Sequence, residues 1–335
     1  MRISALVLAA SLLATAQTKR KTDSPLDHLP KNIEVITHFG ERADFAPGNQ
    51  AVAFMAKSFG DAFTIDLKTR HVRCLTCSIP GAAFLRVMHL PSGDYILIGA
   101  EKFTDIRTSR REHNELWFLS KQPGSLPVKL SQKMSEGAAI SKTAMKISFS
   151  VTSAQDPSLP EGHSRLILAD VDIAGHKLTN KKTIYESTSR GCVLEAQDFY
   201  DNDRQMTFTC YEPQGKGSVW TLDIASGKAT KQTNLPGRYN EVEGIIPPGQ
   251  YTLVESDEQA KLYDDPGGFR QIDIWKLKLD GSGKDFTRLT YFNDYEGWKA
   301  SNPVVSTDGK VMAFQIAKTK DEAGVGYGIC LYRFK

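Results

Sequence analysis

Residues 302–315 read Asn-Pro-Val-Val-Ser-Thr-Asp-Gly-Lys-Val-Met-Ala-Phe-Gln. Two short apolar runs flank Asp308-Gly309, a pair suited to a tight hairpin turn because both residues tolerate backbone angles that others resist. The stretch therefore reads as strand, turn, strand. Working outward, the same order recurs at Asp44-Phe-Ala-Pro-Gly-Asn followed by Ala51-Val-Ala-Phe54. It recurs again at Leu90-Pro-Ser-Gly-Asp followed by Tyr95-Ile-Leu-Ile98, and more weakly at 140–149, 199–208 and 245–254. A third strand follows each copy, seen at 62–67, 116–119, 166–170, 219–224, 274–279 and 329–334. Successive anchors lie about 50 to 55 residues apart, and apolar residues alternate with polar ones, the period of a strand rather than a helix.

A fourth strand closes five of the copies, at 72–75, 128–130, 183–185, 229–233 and 286–290. The sixth lacks one, because the chain ends at Lys335. Ile33-Glu-Val-Ile-Thr-His-Phe-Gly40 resembles Arg288-Leu-Thr-Tyr-Phe-Asn293, so the missing strand is expected from the other end of the chain. The reading is an all-β, six-bladed β-propeller closed by the N-terminal strand, which leaves no sheet edge open to association. A β-sandwich, or two small β domains, is the alternative. Six even copies and one complementary gap favour the ring.

The remaining composition fits an exported globular chain. Of 335 residues, 40% are hydrophobic and 24% charged, with 42 basic and 39 acidic residues and a net charge of +3. No basic stripe suggests nucleic acid as a partner. After the first residues, no apolar run approaches the ~20 residues that cross a bilayer as a helix. Met1-Arg2, the apolar run Ile3–Leu13 and Ala14-Thr15-Ala16 form a signal-peptide pattern, with cleavage expected near Ala16–Gln17. The expected organisation is a signal peptide over 1–16, a linker over 17–32, in which Lys19-Arg20-Lys21 reads as a solvated run or, alternatively, a further processing site, and the propeller over 33–335. The chain is expected to be secreted or periplasmic. Five cysteines then have access to oxidation. Cys74 and Cys77 form a local disulfide or remain two inert thiols. Cys192 and Cys210 fall opposite each other about a hairpin centred near Asp201, so a disulfide is expected there. Cys330 is expected buried and unpaired.

The stretch 302–310 resembles the strand–turn–strand signature of TolB-like propeller repeats, a likeness that spans about 33–335. TolB proper carries a separate N-terminal α/β domain for which the residues before 33 leave no room, so its envelope role is not carried over. A narrower likeness, to secreted TolB-like proteins that include fungal saponin hydrolases, rests on Glu241-Val-Glu-Gly-Ile-Ile-Pro-Pro-Gly249, on 293–303 and on 323–329. It implies hydrolysis of a glycoside or glucuronide bond to a terpenoid-like aglycone. The oligogalacturonate lyases resemble this architecture too, but imply a His-rich metal site that seven scattered histidines do not supply.

Aligning the copies on their turns places Glu41, Glu136, Glu195 and Glu241 at one equivalent position, just before the innermost strand. Leu85 and Ser301 take that slot in the second and sixth copies. Four carboxylates would thus converge at the channel mouth. They are candidate catalytic residues, since two carboxyl groups in different environments divide acid and base roles. Alternatively their oxygens would hold a hard divalent cation such as calcium; no other cofactor is indicated. The competing reading is that each caps its own blade. Arg42, Glu243, Glu296, Trp298, Lys299 and Asn302 are candidate substrate-binding residues, with Asp294 and His113 as softer candidates and the turn 264–268 as a border. The expected ligand is a small molecule or carbohydrate. A non-catalytic propeller that binds a protein or carbohydrate partner is the alternative function.

Overall fold

The computed structural model describes residues 18–335 apart from 82, 101, 188–190, 322 and 323. The signal peptide over 1–16 lies outside them. Its core is six sheets of four antiparallel strands. Blade 1 comprises Glu41–Phe45, Ala51–Met55, Ala62–Asp66 and Val72–Cys74; blade 2, Phe84–His89, Tyr95–Ala100, Asn114–Leu119 and Val128–Lys133. Blade 3 comprises Ala138–Ile140, Lys146–Thr152, Ser164–Asp172 and Lys177–Ser187; blade 4, Val193–Tyr200, Gln205–Glu212, Lys216–Asp223 and Lys228–Lys231. Blade 5 comprises Asn240–Ile246, Tyr251–Ser256, Asp273–Lys278 and Phe286–Arg288. Blade 6 comprises Trp298–Val305, Val311–Lys318 and Ile329–Arg333, and its outermost strand is Ile33–Val35. That strand pairs antiparallel as Ile33 with Tyr332, Glu34 with Leu331 and Val35 with Cys330.

The hairpin turns form as their residues dictate. Gly309 takes φ +70°, the Ser306 hydroxyl donates to Asp308 at 2.7 Å, and Val311 N–H donates to the Ser306 hydroxyl at 3.0 Å. The second strands are buried almost throughout, as in Val52, Ala53, Phe54 and Met55, because both faces of a blade meet neighbouring blades. The largest core cluster joins blades 2 and 3 through Leu85, Met88, Ile96, Ile98, Ile147 and Phe149.

A feature of the innermost strands positions the site. In blades 1, 2, 4, 5 and 6 the pairing between first and second strands slips by a bulge close to the aligned slot. A bulge turns a side chain out of the alternating pattern and bends the strand. Arg42 and Asn302 occupy such positions in blades 1 and 6, with φ of 52° and 49°. Connections between second and third strands in blades 2, 3, 5 and 6 are long, at 101–113, 153–163, 257–272 and 319–328. Residues from all four line the same mouth of the channel.

The segment 18–32 is docked rather than a free linker. Arg20 pairs with Asp265 at 2.9 Å and lies 4.4 Å from the centre of the Tyr263 ring. Lys21 N–H donates to the Asp294 carbonyl at 2.8 Å, and its own carbonyl accepts from Glu296 N–H at 2.7 Å. The basic run is therefore not simply solvated: an acidic loop of blades 5 and 6 provides partners that local charge does not reveal.

Both disulfides form, Cys74–Cys77 and Cys192–Cys210, and Cys330 is free and buried. Cys192 and Cys210 do not face each other directly, since Cys210 is opposite Leu194. The turn spans 201–204, so Tyr200 pairs with Gln205, and the bulge between Ala196 and Asp198 recovers only part of the resulting offset. The bond runs diagonally, with Cα atoms 5.0 Å apart. Because loop-closure entropy grows with loop length, the 18-residue Cys192–Cys210 loop is the more stabilising. Replacing both by alanine is expected to cost about 2–4 kcal/mol, read as a lowered unfolding midpoint. The same change at Cys74 and Cys77 is expected to cost clearly less.

Candidate functional site

Glu41, Glu136, Glu195 and Glu241 all line one cavity of about 310 Å³ at the channel mouth. Arg42, Lys299 and Asn302 line it with them. Glu243 lies deeper, in the channel below. Glu296 is exposed, and neither it nor Trp298 is among the lining residues; Trp298 packs on the blade 6 core beneath Lys318. Asp294 instead accepts from Arg288 and Tyr263. His113 ends the short helical insertion of blade 2 and lines neither cavity of the mouth.

The convergence of carboxylates raises the question of what neutralises them. Arg42 donates to Glu136 at 2.9 Å and lies 3.7 Å from Glu41. Arg110, delivered by the blade 2 insertion, donates to the other Glu136 oxygen, with its Nε at 2.8 Å. Burial would raise the Glu136 pKa, but Arg110 and Arg42 outweigh it and hold the carboxyl at about 2. Burial alone would lower the Arg42 pKa; Glu136, Glu41, Glu195 and Glu241 together hold it above its ordinary value. Glu136 is thus ionised under all ordinary conditions.

Glu195 is the opposite case. It is 4% exposed, and its Oε1 is buried without a hydrogen-bond partner. Burial first, then Glu241 and Glu136, push its pKa up to about 8. A carboxylic acid and a carboxylate therefore face one cavity at neutral pH. Gly137 makes room for this side chain: at φ +84°, an added Cβ would lie 2.1 Å from Glu195 Cγ. Gly137→Ala is expected to displace Glu195 and lower any activity of the site at least 10-fold. The control is Gly48→Ala, also at positive φ but with nothing within 4 Å, assayed beside it.

Blade 5 contributes a second acidic group. Glu241 and Glu255 face each other across the first two strands, and Glu243 follows at the bulge between Val242 and Ile245. One oxygen of each of the three lies within 4.8 Å of the others. Tyr239 donates to Glu241, and Asn302 N–H donates to Glu255. Burial, then Glu241, pushes the Glu255 pKa up to about 8; burial, then Glu241 and Glu255, raises Glu243 well above its ordinary value. Burial lowers the Lys299 pKa despite Glu255 and Glu241 nearby, and its ammonium donates to the Phe269 carbonyl at 3.1 Å.

Sequence reading missed Glu255, Arg110, Tyr211 and Tyr239. Glu255 was accessible in principle, since the hairpin about Pro247-Pro248 places it opposite Glu241. Arg110 carried no signal, because an insertion loop has no periodicity to align.

A second, wider cavity of about 750 Å³ continues from the mouth and shares Arg110, Glu136, Glu195, Tyr211 and Phe269 with it. Its rim carries Arg107, Arg111 and Arg270 against one acidic residue, Glu161, and its wall is partly apolar, with Ile106, Val193 and Leu194. Both volumes fall near the range of small-molecule sites.

No family model matches this chain, and no curated protein matches it in sequence. Solved structures do. A TolB-type protein of Agrobacterium tumefaciens aligns with TM-score 0.53 at 15% identity, over 81% of this chain and 96% of that one. A gluconolactonase of Xanthomonas campestris aligns with TM-score 0.56 at 10% identity, over 96% of each. An oligogalacturonate lyase solved in complex with manganese aligns with TM-score 0.52 at 11% identity, over 88% of this chain and 78% of that one. The chain has the six-bladed fold that TolB-like propellers share. At these identities the likeness extends to the fold alone, and the narrower likeness to saponin hydrolases has no sequence match behind it.

Proposed function

We propose that the channel mouth is the active site of an exported hydrolase acting on glycosides, with glucuronide-type sugars preferred. The observation that carries this reading is the pair Glu136 and Glu195, ionised and protonated respectively, lining both connected cavities. Glycoside cleavage needs a carboxylic acid to protonate the leaving oxygen and a carboxylate to face the positive charge that develops on the sugar. Glu195 takes the first role; Glu136 takes the second, which requires one of its guanidinium partners, Arg42 or Arg110, to turn to the substrate's own carboxylate. Arg107, Arg111 and Arg270 on the rim suit an anionic sugar, and Ile106, Val193, Leu194 and Phe269 suit an apolar aglycone. Two disulfides are compatible with an extracellular or periplasmic setting. Among the described residues no helix is long and apolar enough to cross a membrane.

The test is a screen of the purified chain against paired aryl glucuronides and aryl glucosides, then saponins. Turnover of the glucuronide above the glucoside is expected. Binding of these sugars without turnover would replace the enzyme by the alternative, a recognition propeller.

We further propose that pairing of Ile33–Val35 with the last strand locks the ring and so holds the four ring glutamates at a common hub.

A further inference from the structure

We propose that Glu241, Glu243 and Glu255 of blade 5 form a calcium site at the boundary between the mouth cavity and the channel below. The first observation is the cluster itself, three carboxylate oxygens within 4.8 Å of one another. Three oxygens no more than 4.8 Å apart share a centre within about 2.8 Å of each, so a shift of about 0.2 Å per side chain brings all three within the usual calcium–oxygen distance. The second is an orphan. Glu243 is 4% exposed, and its Oε1 is buried with no hydrogen-bond donor. Ser301 Oγ, 1% exposed and lining the same cavity as Glu241 and Glu255, is likewise without a partner.

The third observation is where the available cations go. Arg42 and Arg110 both bond Glu136, Lys299 donates to a carbonyl, and Arg86, which lines the channel with Glu243, leaves its Nε without a partner rather than on that carboxylate. Among the described residues no Lys or Arg nitrogen comes within salt-bridge distance of Glu241, Glu243 or Glu255. Glu241 and Glu255 stand directly opposite on paired strands, where two ionised carboxylates would repel. A divalent cation converts that repulsion into shared coordination. The donors are all oxygen, which selects a hard ion. A site this enclosed disfavours magnesium, which gives up its water reluctantly, and suits calcium, which takes six to eight oxygens in flexible geometry. Water and the Ser301 hydroxyl are available to complete the shell.

This inference stands apart from the proposed hydrolysis, and its test reads binding rather than turnover. The full chain, stripped with a chelator, would be titrated with calcium chloride by calorimetry and equilibrium dialysis, with magnesium chloride beside it. Thermal unfolding would be followed at each concentration. One calcium per chain and a rise in the unfolding midpoint are expected. Glu243→Gln and Glu255→Gln are each expected to weaken binding at least 10-fold. Glu255→Gln also relieves the opposed charges, so its metal-free form is expected to unfold no earlier than the unaltered chain, which separates lost binding from lost folding. Absence of stoichiometric calcium, magnesium bound more tightly than calcium, or unchanged calcium affinity in Glu243→Gln would overturn the site. A chain that binds calcium yet cleaves no glycoside would uphold it and remove the hydrolase reading.

Discussion

Glu195→Gln is expected to lower kcat/KM on an alkyl glucuronide by about 10²–10⁴-fold, the usual contribution of a general acid, with the fold intact. The amide keeps the size of the side chain and removes only the proton it would donate. It also removes a buried group that must not ionise, so the variant is expected to be no less stable at pH 9 than the unaltered protein. The pH profile supplies the sign. Glu195 has to be protonated to act, and its pKa stands at about 8, with burial the largest cause. Activity should therefore persist through neutral pH and fall as pH rises through about 8. Glu136 has to be ionised, and with its pKa at about 2 it imposes no acid limb in the range where the protein would be assayed. A substrate whose leaving group needs no protonation, such as a nitrophenyl glucuronide, should lose far less rate in Glu195→Gln than one with an alkyl leaving group. Equal losses on both would count against an acid role and leave Glu195 as a packing residue.

Stability carries the same linkage. An acid whose folded pKa is raised above its unfolded value keeps a proton that the unfolded chain releases. Its contribution is fully present below about 4.5 and declines as pH rises towards the folded value of about 8. Unfolding midpoints of the metal-free chain should therefore fall from mildly acidic pH up to about 8 and level off above it, and Glu195→Gln should flatten part of that decline.

What could be read from the chain divides along a physical line. The blades were legible because each is a local object: a turn such as Ser306–Lys310 and the two strands beside it are specified by neighbours in sequence. The placement of Glu41, Glu136, Glu195 and Glu241 around one cavity followed from repeat symmetry alone. What repeat symmetry cannot supply is whatever breaks it. Arg110 arrives on an insertion peculiar to blade 2, and it decides that Glu136 rather than Glu195 is the charged member. Glu255 belongs to a second strand, so an alignment of inner strands passes over it. Trp298 and Glu296 looked available because they begin and precede the inner strand of blade 6, yet Trp298 packs on the blade core under Lys318 while its neighbour Lys299 lines the cavity, and Glu296 stays exposed in the loop before the strand. The disulfide partners were inferable from hairpin geometry, while the turn over 201–204 that leaves their bond diagonal was not.

A chain beginning at residue 36 is expected to be much less stable than one beginning at residue 18, with the unfolding midpoint lower by about 10 °C. Three backbone pairings to Tyr332, Leu331 and Cys330 would be lost, together with the burial of Ile33, 8% exposed in the blade 6 core, and of the half-buried Leu26, Leu29 and Val35 packed against it. Burial of one large aliphatic side chain contributes about 1.5–3 kcal/mol, so partial and full burial of four gives roughly 4–6 kcal/mol. For a domain this large, each kcal/mol moves the midpoint by about 2 °C. The Arg20–Asp265 pair adds to this but is close to the surface and contributes less. The more telling consequence is at the exposed edge. Ile329–Arg333 would present unpaired backbone beside buried Cys330 and Leu331, a template for pairing between chains. Concentration-dependent association should appear in the shorter chain and be absent from the longer one. Because Ser301, Gln315 and Lys299 line the mouth from blade 6, loosening that blade should also weaken ligand binding at the hub. If the shorter chain unfolds within a degree or two of the longer one and remains monomeric, Ile33–Val35 is an ornament on blade 6, and something else holds the ring.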